Sequence, residues 1–388
     1  MPLPASERIL LGPGPSMIPP RVIGAMASPV LSHLDPEFVP LLDDVRASLQ
    51  RVFRADENAL TLATSGTGTS AMEAAVANAV SDGARAIVVV TGYFGDRLVQ
   101  IMERYGARVR RIDVAWGRAV DPQRLRDELH REGADIVGLV HAETSTGVRN
   151  PVRELTAVAR DHGALTIVDT VTSLGGQELD LAGWGIDIAY SCTQKCIGAP
   201  SGLAPIAVSG PARERLVPCR SFYLDLKLLE EYWVGRKYHH TMSSSLVYAL
   251  REALLMVEEE GLAARVARHE RHHRALAAGL EAMGLSLLPP DRERLWTLNA
   301  IRVPSGVDEA AVRRTLLTTF NLEVGAGLGP LAGRIWRVGL MGASSTPQTL
   351  LQFLAALESA LATHGHEVPA GAGTAAAGAA LRPELTTA

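Results

Sequence analysis

The middle of the sequence alternates short apolar runs with stretches of helical length, and this alternation limits the possible folds more than any other feature. The apolar runs have the length and the β-branched content of buried strands, and they lie at 86–90, 136–140, 165–168 and 186–190. The stretches between them have the amphipathic spacing of helices, and they lie at 97–105, 121–132 and 151–162. Repeated strand–helix–strand units build a mainly parallel sheet, so the predicted fold class is α/β.

The pattern changes from about Ser245. A long helical pattern runs through Met283, and two strand-like pieces follow at 298–303 and 335–339 with a helical pattern between them. This order predicts a small C-terminal α+β domain beside the large sheet domain. The predicted division is an N-terminal arm at 1–20, a large domain at 21–245, a small domain at 246–364 and a flexible, low-complexity Ala/Gly tail at 365–388.

Composition excludes several classes of partner. The formal net charge is -4, and the 38 Lys+Arg are scattered among 42 Asp+Glu, so we expect neither a nucleic acid nor an acidic membrane surface as partner. Three cysteines, at 192, 196 and 219, do not form a disulfide framework and favour a reducing compartment. The sequence has neither a signal-peptide pattern nor an apolar run of about 20 residues, so we predict a cytoplasmic protein.

A glycine-, serine- and threonine-rich segment at 64–70 lies between a strand-like segment at 60–63 and a helical pattern that begins near Ala71. Small residues at a helix N-terminus leave backbone N–H groups free to bind an anion, most often phosphate. The alternative is an ordinary small-residue helix cap. Neither a Walker A motif nor G-x-G-x-x-G is matched, so a nucleotide is not favoured.

Two further residues follow predicted strands. Asp169 ends the strand at 165–168, at the sheet edge where α/β proteins bind ligands, although such residues also cap turns. Lys195 lies in a run without other charges, where desolvation lowers the pKa of an amine and favours Schiff-base chemistry; alone, it could be an exposed strand-end lysine. A lysine for the imine, an aspartate for the pyridine nitrogen and a helix end for the phosphate are together the parts that pyridoxal 5'-phosphate requires.

Eight ordered motifs carry a resemblance to a known family. They are LLGPGPS from Leu10, SGTGT from Ser65, ETSTGV from Glu143, VDTVTSLGG from Val168, SCTQKC around Lys195, SFYLD from Ser221, YHHT from Tyr238 and WRVGLMG from Trp336. From Leu10 to about Leu361 the chain resembles the fold-type I, class V pyridoxal-phosphate-dependent aminotransferases, specifically the alanine-glyoxylate/serine-pyruvate branch. The resemblance implies a homodimer with active sites at the interface. It also implies ping-pong transfer of an amino group from alanine or serine to glyoxylate.

The resemblance also implies roles for individual residues. Lys195 and Asp169 are the implied catalytic residues: Lys195 bonds the cofactor and then moves a proton, and Asp169 partners the pyridine nitrogen. The implied cofactor-binding residues are Gly68, Thr69, Phe94, Thr144, Asp169, Gln194 and Lys195, with Tyr238 and Thr241 reaching the site of the neighbouring subunit. Arg337, with Thr144, is the implied substrate-binding residue and pairs with the substrate carboxylate, while Arg334 is the nearby alternative.

The identity of the donor stays open at this stage. Ureidoglycine-glyoxylate and other small-substrate class V transaminases are the alternative. The ureidoglycine enzymes look to carry Asn where this chain has His239, which favours alanine or serine here. Thr69 replaces a His of some animal members, and Leu34 lies in a segment that varies with substrate. A desulfurase is disfavoured because no cysteine follows Cys219.

A zinc hydrolase is the alternative from a different class. His269 and His273 match H-E-x-x-H on a predicted helix. Four nearby arginines oppose a dication, and no third ligand follows, so no metal is predicted. The arginines are Arg265, Arg268, Arg271 and Arg274. We predict a solvated polar helix face at this position instead.

Overall fold

The structure, a computed structural model, describes residues 7–385; residues 1–6 of the predicted arm and 386–388 of the predicted tail lie outside it. The strands, in chain order, are β1 (Ile9–Leu10), β2 (Leu60–Gly66), β3 (Arg85–Val90), β4 (Arg108–Asp113), β5 (Ile136–Val140), β6 (Ala142–Glu143), β7 (Val148–Arg149), β8 (Leu165–Asp169), β9 (Ile188–Tyr190), β10 (Gly202–Val208), β11 (Leu298–Arg302), β12 (Leu322–Glu323), β13 (Gly325–Ala326) and β14 (Ile335–Gly339). The α-helices are α1 (Pro20–Met26), α2 (Val39–Phe53), α3 (Gly68–Ala79), α4 (Tyr93–Arg104), α5 (Pro122–Glu132), α6 (Val152–Asp161), α7 (Leu181–Trp184), α8 (Gly210–Arg213), α9 (Leu226–Trp233), α10 (Ser244–Glu260), α11 (Leu262–Ala282), α12 (Glu309–Phe320), α13 (Pro347–Thr363) and α14 (Ala372–Leu385).

The large sheet has seven strands in the order β2-β10-β9-β8-β5-β3-β4. β10 is antiparallel to its neighbours β2 and β9, and the other pairs are parallel. Every residue of β5 and β8 is buried. Since successive side chains of a strand point to opposite faces, both faces of the sheet centre are covered. The predicted α/β fold with a mainly parallel sheet is confirmed.

A second, separate core lies in the C-terminal part of the chain. It is built around an antiparallel sheet in the order β11-β14-β13 and the helices α11 to α14. The border between the two cores differs from the predicted position after residue 245. α10 packs against α1 and α2, and its Val247, Leu250 and Leu254 belong to the core of the large domain. The continuous helical pattern is divided at Gly261, so the packing border lies there.

The N-terminal arm connects the two cores. β1 pairs in parallel with β12, and the Leu11 side chain is buried in the core of the small domain. The Leu11 carbonyl accepts a hydrogen bond of 2.7 Å from the Gly339 N–H at the end of β14. The arm then continues past the carboxyl edge of the large sheet, where Ser16 Oγ donates to the Lys195 carbonyl oxygen at 2.7 Å.

The prediction of a flexible tail is wrong for the described residues of α14. This helix packs on α11 and α13, and its Ala377 and Leu381 are buried in the core of the small domain. The approach is close, because a Cβ added at Gly279 would lie 2.9 Å from the Gly373 carbonyl oxygen. The low complexity of the segment made its apolar stripe difficult to recognise. Ala377 and Leu381 are four positions apart, which is helical spacing. Small residues let this helix lie directly on its neighbours.

Replacing Leu381 with alanine tests this packing. Truncating a buried leucine removes apolar contacts and leaves a cavity, so we expect the free energy of unfolding to fall by about 2–5 kcal/mol. Denaturant unfolding of the purified variant is the measurement. The control is Ala379→Ser at an exposed position of the same helix. Equal stability of the two variants would show that α14 is not docked.

Candidate active site

The three predicted features meet at one edge of the large sheet. β8 ends at Asp169, β9 leads into the turn that carries Lys195, and β2 leads into α3 at Gly68. β2 and β9 run in the same direction, because β10 is antiparallel to both, and β9 is parallel to β8. The carboxyl ends of the three strands therefore lie on the same side, where ligands bind in open α/β sheets.

The Lys195 side chain is held against the N-terminal arm. Its Nζ donates a hydrogen bond to the Pro13 carbonyl oxygen. Burial lowers the pKa of the amine, and the charges of Arg337 and Asp169 act on it in opposite directions. Gly14 adopts a φ of +117°, and a Cβ at that position would lie 2.7 Å from Lys195 Cδ. The arm can therefore pass this close to the lysine only with glycine there. A buried amine that loses its proton readily suits a nucleophile.

The Asp169 carboxylate is buried at the end of β8. It accepts hydrogen bonds from the Val171 N–H at 2.8 Å and from the Tyr190 O–H at 3.1 Å. Burial raises the pKa of Asp169 to about 7, and the two hydrogen bonds and the Lys195 charge oppose this rise. A cation bound in front of the carboxylate would favour its ionised form. The group is thus suited to a positively charged ring nitrogen.

The N-terminus of α3 forms the predicted phosphate cradle. Thr67 precedes the helix without a side-chain cap, and the Ser70 N–H donates to the Thr67 carbonyl oxygen at 2.8 Å, so the amides of Gly68 and Thr69 stay available for an anion. A Cβ on Gly68 would lie 2.9 Å from Val171 Cγ2, which explains the small residue there. Thr69 Oγ1 accepts a hydrogen bond of 2.9 Å from Arg97, and this contact brings a guanidinium to the cradle.

His240 also reaches the cradle and was not predicted to do so. Its Nε2 lies 2.8 Å from Ser65 Oγ. Burial and the neighbouring His239 and His33 lower the pKa of His240 to about 4. SGTGT and YHHT are separate motifs in the sequence, and no spacing rule joins residues 175 positions apart.

Glu143 is a second residue near the site for which the sequence predicted no role. Its buried carboxylate accepts hydrogen bonds from Ser145 Oγ at 2.5 Å and from the Gly95 N–H at 3.3 Å. Burial raises its pKa. These bonds fix the first turn of α4, which carries the half-buried Phe94, and the Arg97 guanidinium lies 5.1 Å from the Phe94 ring centroid. An acidic residue shortly after a buried strand, in a segment with no other Asp, Glu, Lys or Arg nearby, was the available signal.

Arg337 and Thr144 lie together. The Arg337 guanidinium donates to the Ala326 carbonyl at 2.7 Å and to the Thr144 carbonyl at 3.4 Å. Arg337 is 7% exposed, and burial lowers its pKa. The hydroxyls of Thr144 and Thr172 are 2.5 Å apart. Arg334, the alternative, is exposed, whereas Arg337 is buried beside Thr144; its predicted role toward a substrate carboxylate stays a prediction.

Tyr238 and Thr241 are exposed on the surface of the chain. Tyr238 is 63% exposed and contacts His33 with ring centroids 5.6 Å apart. The exposed aromatic rings of Phe222 and Tyr223 lie in the same region, because both contact His239. Their predicted role toward a neighbouring subunit stays a prediction.

The residues of this edge fit pyridoxal phosphate. Gln194 Oε1 is buried without a hydrogen-bond partner among the described residues, and Gln194 directly precedes the lysine in the chain. Such an atom indicates a missing polar partner. A lysine of lowered pKa, a buried carboxylate and an uncapped helix end match the aldehyde, ring nitrogen and phosphate of this cofactor.

The prediction of a solvated helix face at His269 and His273 is wrong. Both histidines are buried, as are His272 and Arg265. His269 Nδ1–H donates to the Arg265 carbonyl at 2.7 Å, while its Nε2 accepts from the Gly342 N–H at 3.1 Å. His273 is 2.6 Å from Asn299 Oδ1. Within residues 7–385, no cluster of His, Cys, Asp and Glu is arranged to hold a metal ion. These bonds tie the small domain together instead.

Comparisons with known proteins give a consistent result. The family described as Aminotransferase class-V matches residues 8–332. The (S)-ureidoglycine–glyoxylate transaminase of Bacillus subtilis is 36% identical over 387 residues, which cover 94% of this chain and 93% of that protein. The alanine–glyoxylate aminotransferase of Drosophila melanogaster is 36% identical over 370 residues, with 93% and 94% covered. The crystal structure of alanine–glyoxylate aminotransferase from Nostoc sp. has a TM-score of 0.91 and 47% identity, covering 93% of this chain and 97% of that chain.

Proposed function

The chain belongs to the class V aminotransferases, and from this premise we propose that it transfers the amino group of alanine or serine to glyoxylate. Enzymes of this class depend on pyridoxal phosphate, which when bound supplies a ring that accepts electrons from the substrate Cα. The observation that carries the proposal is the position of Arg337, buried and hydrogen-bonded to Thr144. Its charge is also among those that act on the Lys195 amine.

Each residue has one proposed task. Lys195 would hold the cofactor through its aldehyde, and its amine would move the proton at the substrate Cα. Asp169 keeps the ring nitrogen protonated. Arg337 binds the α-carboxylate with its planar guanidinium, and the cradle at Gly68 holds the phosphate. Gly14 and Pro13 cover the lysine from the arm.

The charge distribution supports a donor with one carboxylate. Arg337 is hydrogen-bonded to the Thr144 carbonyl at this edge and its charge acts on the Lys195 amine, whereas the neighbouring Arg334 is exposed. A dicarboxylate donor would bring a second anion without an equivalent partner near the lysine. Ureidoglycine remains the second candidate donor, because a relative of comparable identity is named for it.

The cofactor absorption band tests the donor. We expect alanine or serine to remove the long-wavelength band of the cofactor-loaded enzyme and glyoxylate to restore it. Aspartate and 2-aminoethylphosphonate should leave the band unchanged. A response to ureidoglycine alone would transfer the assignment to the second candidate. No response to any of them would contradict both.

Replacing Arg337 with leucine tests the carboxylate site. We expect kcat/KM for both the amino acid and the 2-oxo acid to fall by about 10²–10³-fold, because a desolvated charged contact is worth about 2–5 kcal/mol. Steady-state kinetics with each substrate varied is the measurement. Arg334→Leu, at the exposed neighbour, should change kcat/KM less than about twofold. Equal losses in the two variants would refute the role of Arg337.

We further propose a homodimer in a reducing compartment, the cytoplasm. Two features support this: the exposed aromatic rings of Phe222, Tyr223 and Tyr238, and three free cysteines. None of the helices in the described part of the chain has the length and apolarity needed to cross a membrane.

Subunit exchange tests whether each active site is built from residues of both subunits. Mixing Lys195→Ala with Tyr238→Ala dimers should restore about a quarter of wild-type activity, since half the dimers would carry one intact site. No recovery despite exchange would contradict a shared site.

A further inference from the structure

A second cavity lies away from the Lys195 site. It has a volume of about 520 Å³ and lies between the segments that begin α5 and α6 and the short turn Asp291–Glu293. His141, Gln177 and Trp184 line it, and Arg149 reaches it from the end of β7. None of the predicted active-site residues lines this cavity. The role assigned to the Lys195 site therefore leaves it unexplained.

Two buried polar side chains in this cavity lack partners. Gln177 is 1% exposed, and neither its amide oxygen nor its amide nitrogen has a hydrogen-bond partner among the described residues. His141 is 3% exposed, and its Nδ1 also has no hydrogen-bond partner among the described residues. Buried polar groups are nearly always hydrogen-bonded, so both side chains call for a polar partner in the cavity. The Gln177 amide offers one donor and one acceptor at the same place.

Arg149 adds a positive charge without a direct partner. Within the described part of the chain its guanidinium makes no hydrogen bond or ion pair, and it lies over the Trp296 ring at 5.0 Å. Burial lowers its pKa, and the carboxylates of Glu270, Glu178 and Glu154 oppose this from a distance. A partly desolvated guanidinium gains most from an anion that binds it directly.

The start of α6 contributes to the same wall. The helix has 10 residues, its N-cap is Pro151, and no side chain caps it. The Val152 N–H donates to the Asn150 carbonyl oxygen at 2.9 Å, so the N–H groups of Arg153 and Glu154 are the ones of the first turn without a hydrogen-bond partner among the described residues, and both residues line the cavity. Together with Arg149 and the Gln177 nitrogen, they form a set of donors suited to a carboxylate.

We propose that this cavity binds a small 2-hydroxycarboxylate at a site separate from the Lys195 site. The carboxylate lies between Arg149 and the start of α6, and the adjacent hydroxyl donates to the Gln177 amide oxygen. The His141 backbone N–H donates to the Asp169 carbonyl oxygen at 2.9 Å, so the cavity wall adjoins the strand end that carries the cofactor carboxylate.

Calorimetry with glycolate tests the proposal. The cofactor-loaded Arg337→Leu variant serves as the background, because it removes carboxylate binding at the proposed substrate position. We expect one glycolate per chain in this background, with acetate binding at least tenfold more weakly because it lacks the hydroxyl. Adding Gln177→Leu or Arg149→Leu should weaken glycolate binding at least tenfold. The control Arg153→Leu, at the exposed rim, should leave it within twofold.

The outcomes separate this proposal from the catalytic one, because calorimetry requires no turnover. Absence of glycolate binding in the Arg337→Leu background would overturn the second site. Unchanged affinity in Arg149→Leu would do the same, and this variant covers the case in which Gln177→Leu fails to fold. Arg149→Leu alone should keep alanine–glyoxylate turnover within twofold of the wild type without glycolate. A tenfold loss there would place Arg149 in the catalytic machinery instead.

Discussion

Replacing Lys195 with alanine is expected to lower kcat by about 10⁴-fold or more while leaving the unfolding transition in place. The proposed role gives this lysine two tasks, the bond to the cofactor and the proton transfer at the substrate Cα. General acid–base catalysis alone contributes up to about 10⁴-fold. The side chain is only partly buried, and its amine is hydrogen-bonded to the Pro13 carbonyl oxygen, so we expect its loss to remove little packing. Single-turnover kinetics and denaturant unfolding of the variant measure the two quantities.

The chain provides a matched control for this variant. Lys195 is one of three lysines, and the other two, Lys227 and Lys237, are exposed. Lys227→Ala should retain activity. Borohydride reduction of the loaded enzyme, followed by peptide mass analysis, should place the cofactor on the peptide that contains Lys195. Label on the peptide of Lys227 or Lys237 would overturn the assignment, whatever the activity of the variants.

The sequence predicted the centre of the fold better than its edges. β5 and β14 are found at the predicted positions because buried or half-buried strands carry continuous apolar runs. β4 was missed because it is an edge strand, and its RVRRID sequence is mostly polar. β10 was missed as well, because Pro205 within it argues against a sheet strand. The division at Gly261 and the docking of α14 depend on tertiary packing, which single-sequence patterns do not encode.

At the candidate site, too, the sequence predicted some residues and not the contacts that depend on tertiary packing. Lys195, Asp169 and the segment at Gly68 could be found because strand-end positions in a parallel sheet converge. The resemblance supplied Arg337, since nothing local distinguishes it from Arg334. The contact of His240 with Ser65 and the fixing of α4 by Glu143 join residues far apart in sequence. Only the folded chain brings them together.

Asp169→Asn is the second change with a large expected effect. The substitution keeps the size and most hydrogen bonds of the side chain but removes its negative charge. In its proposed role Asp169 would keep the ring nitrogen of the cofactor protonated, so loss of the charge would make the ring a poorer acceptor of electrons from the substrate Cα. Removing one preorganised electrostatic partner costs about 10²–10³-fold in kcat, and we expect a loss of that size. Cofactor binding should persist through Lys195 and the cradle, which the absorption band would show.

Tyr190→Phe is a milder change at the same carboxylate. It distinguishes an effect of the Asp169 charge from an effect of packing. The Tyr190 O–H donates to the Asp169 carboxylate and so favours its ionised form. Its removal should raise the pKa of Asp169 and move the acidic limb of the kcat/KM profile to higher pH, with little loss of activity on the plateau. Asp169→Asn, in contrast, should lower the plateau itself. If Asp169→Asn kept full activity, or if Tyr190→Phe lowered the plateau without moving the limb, Asp169 would support the sheet edge rather than the ring nitrogen.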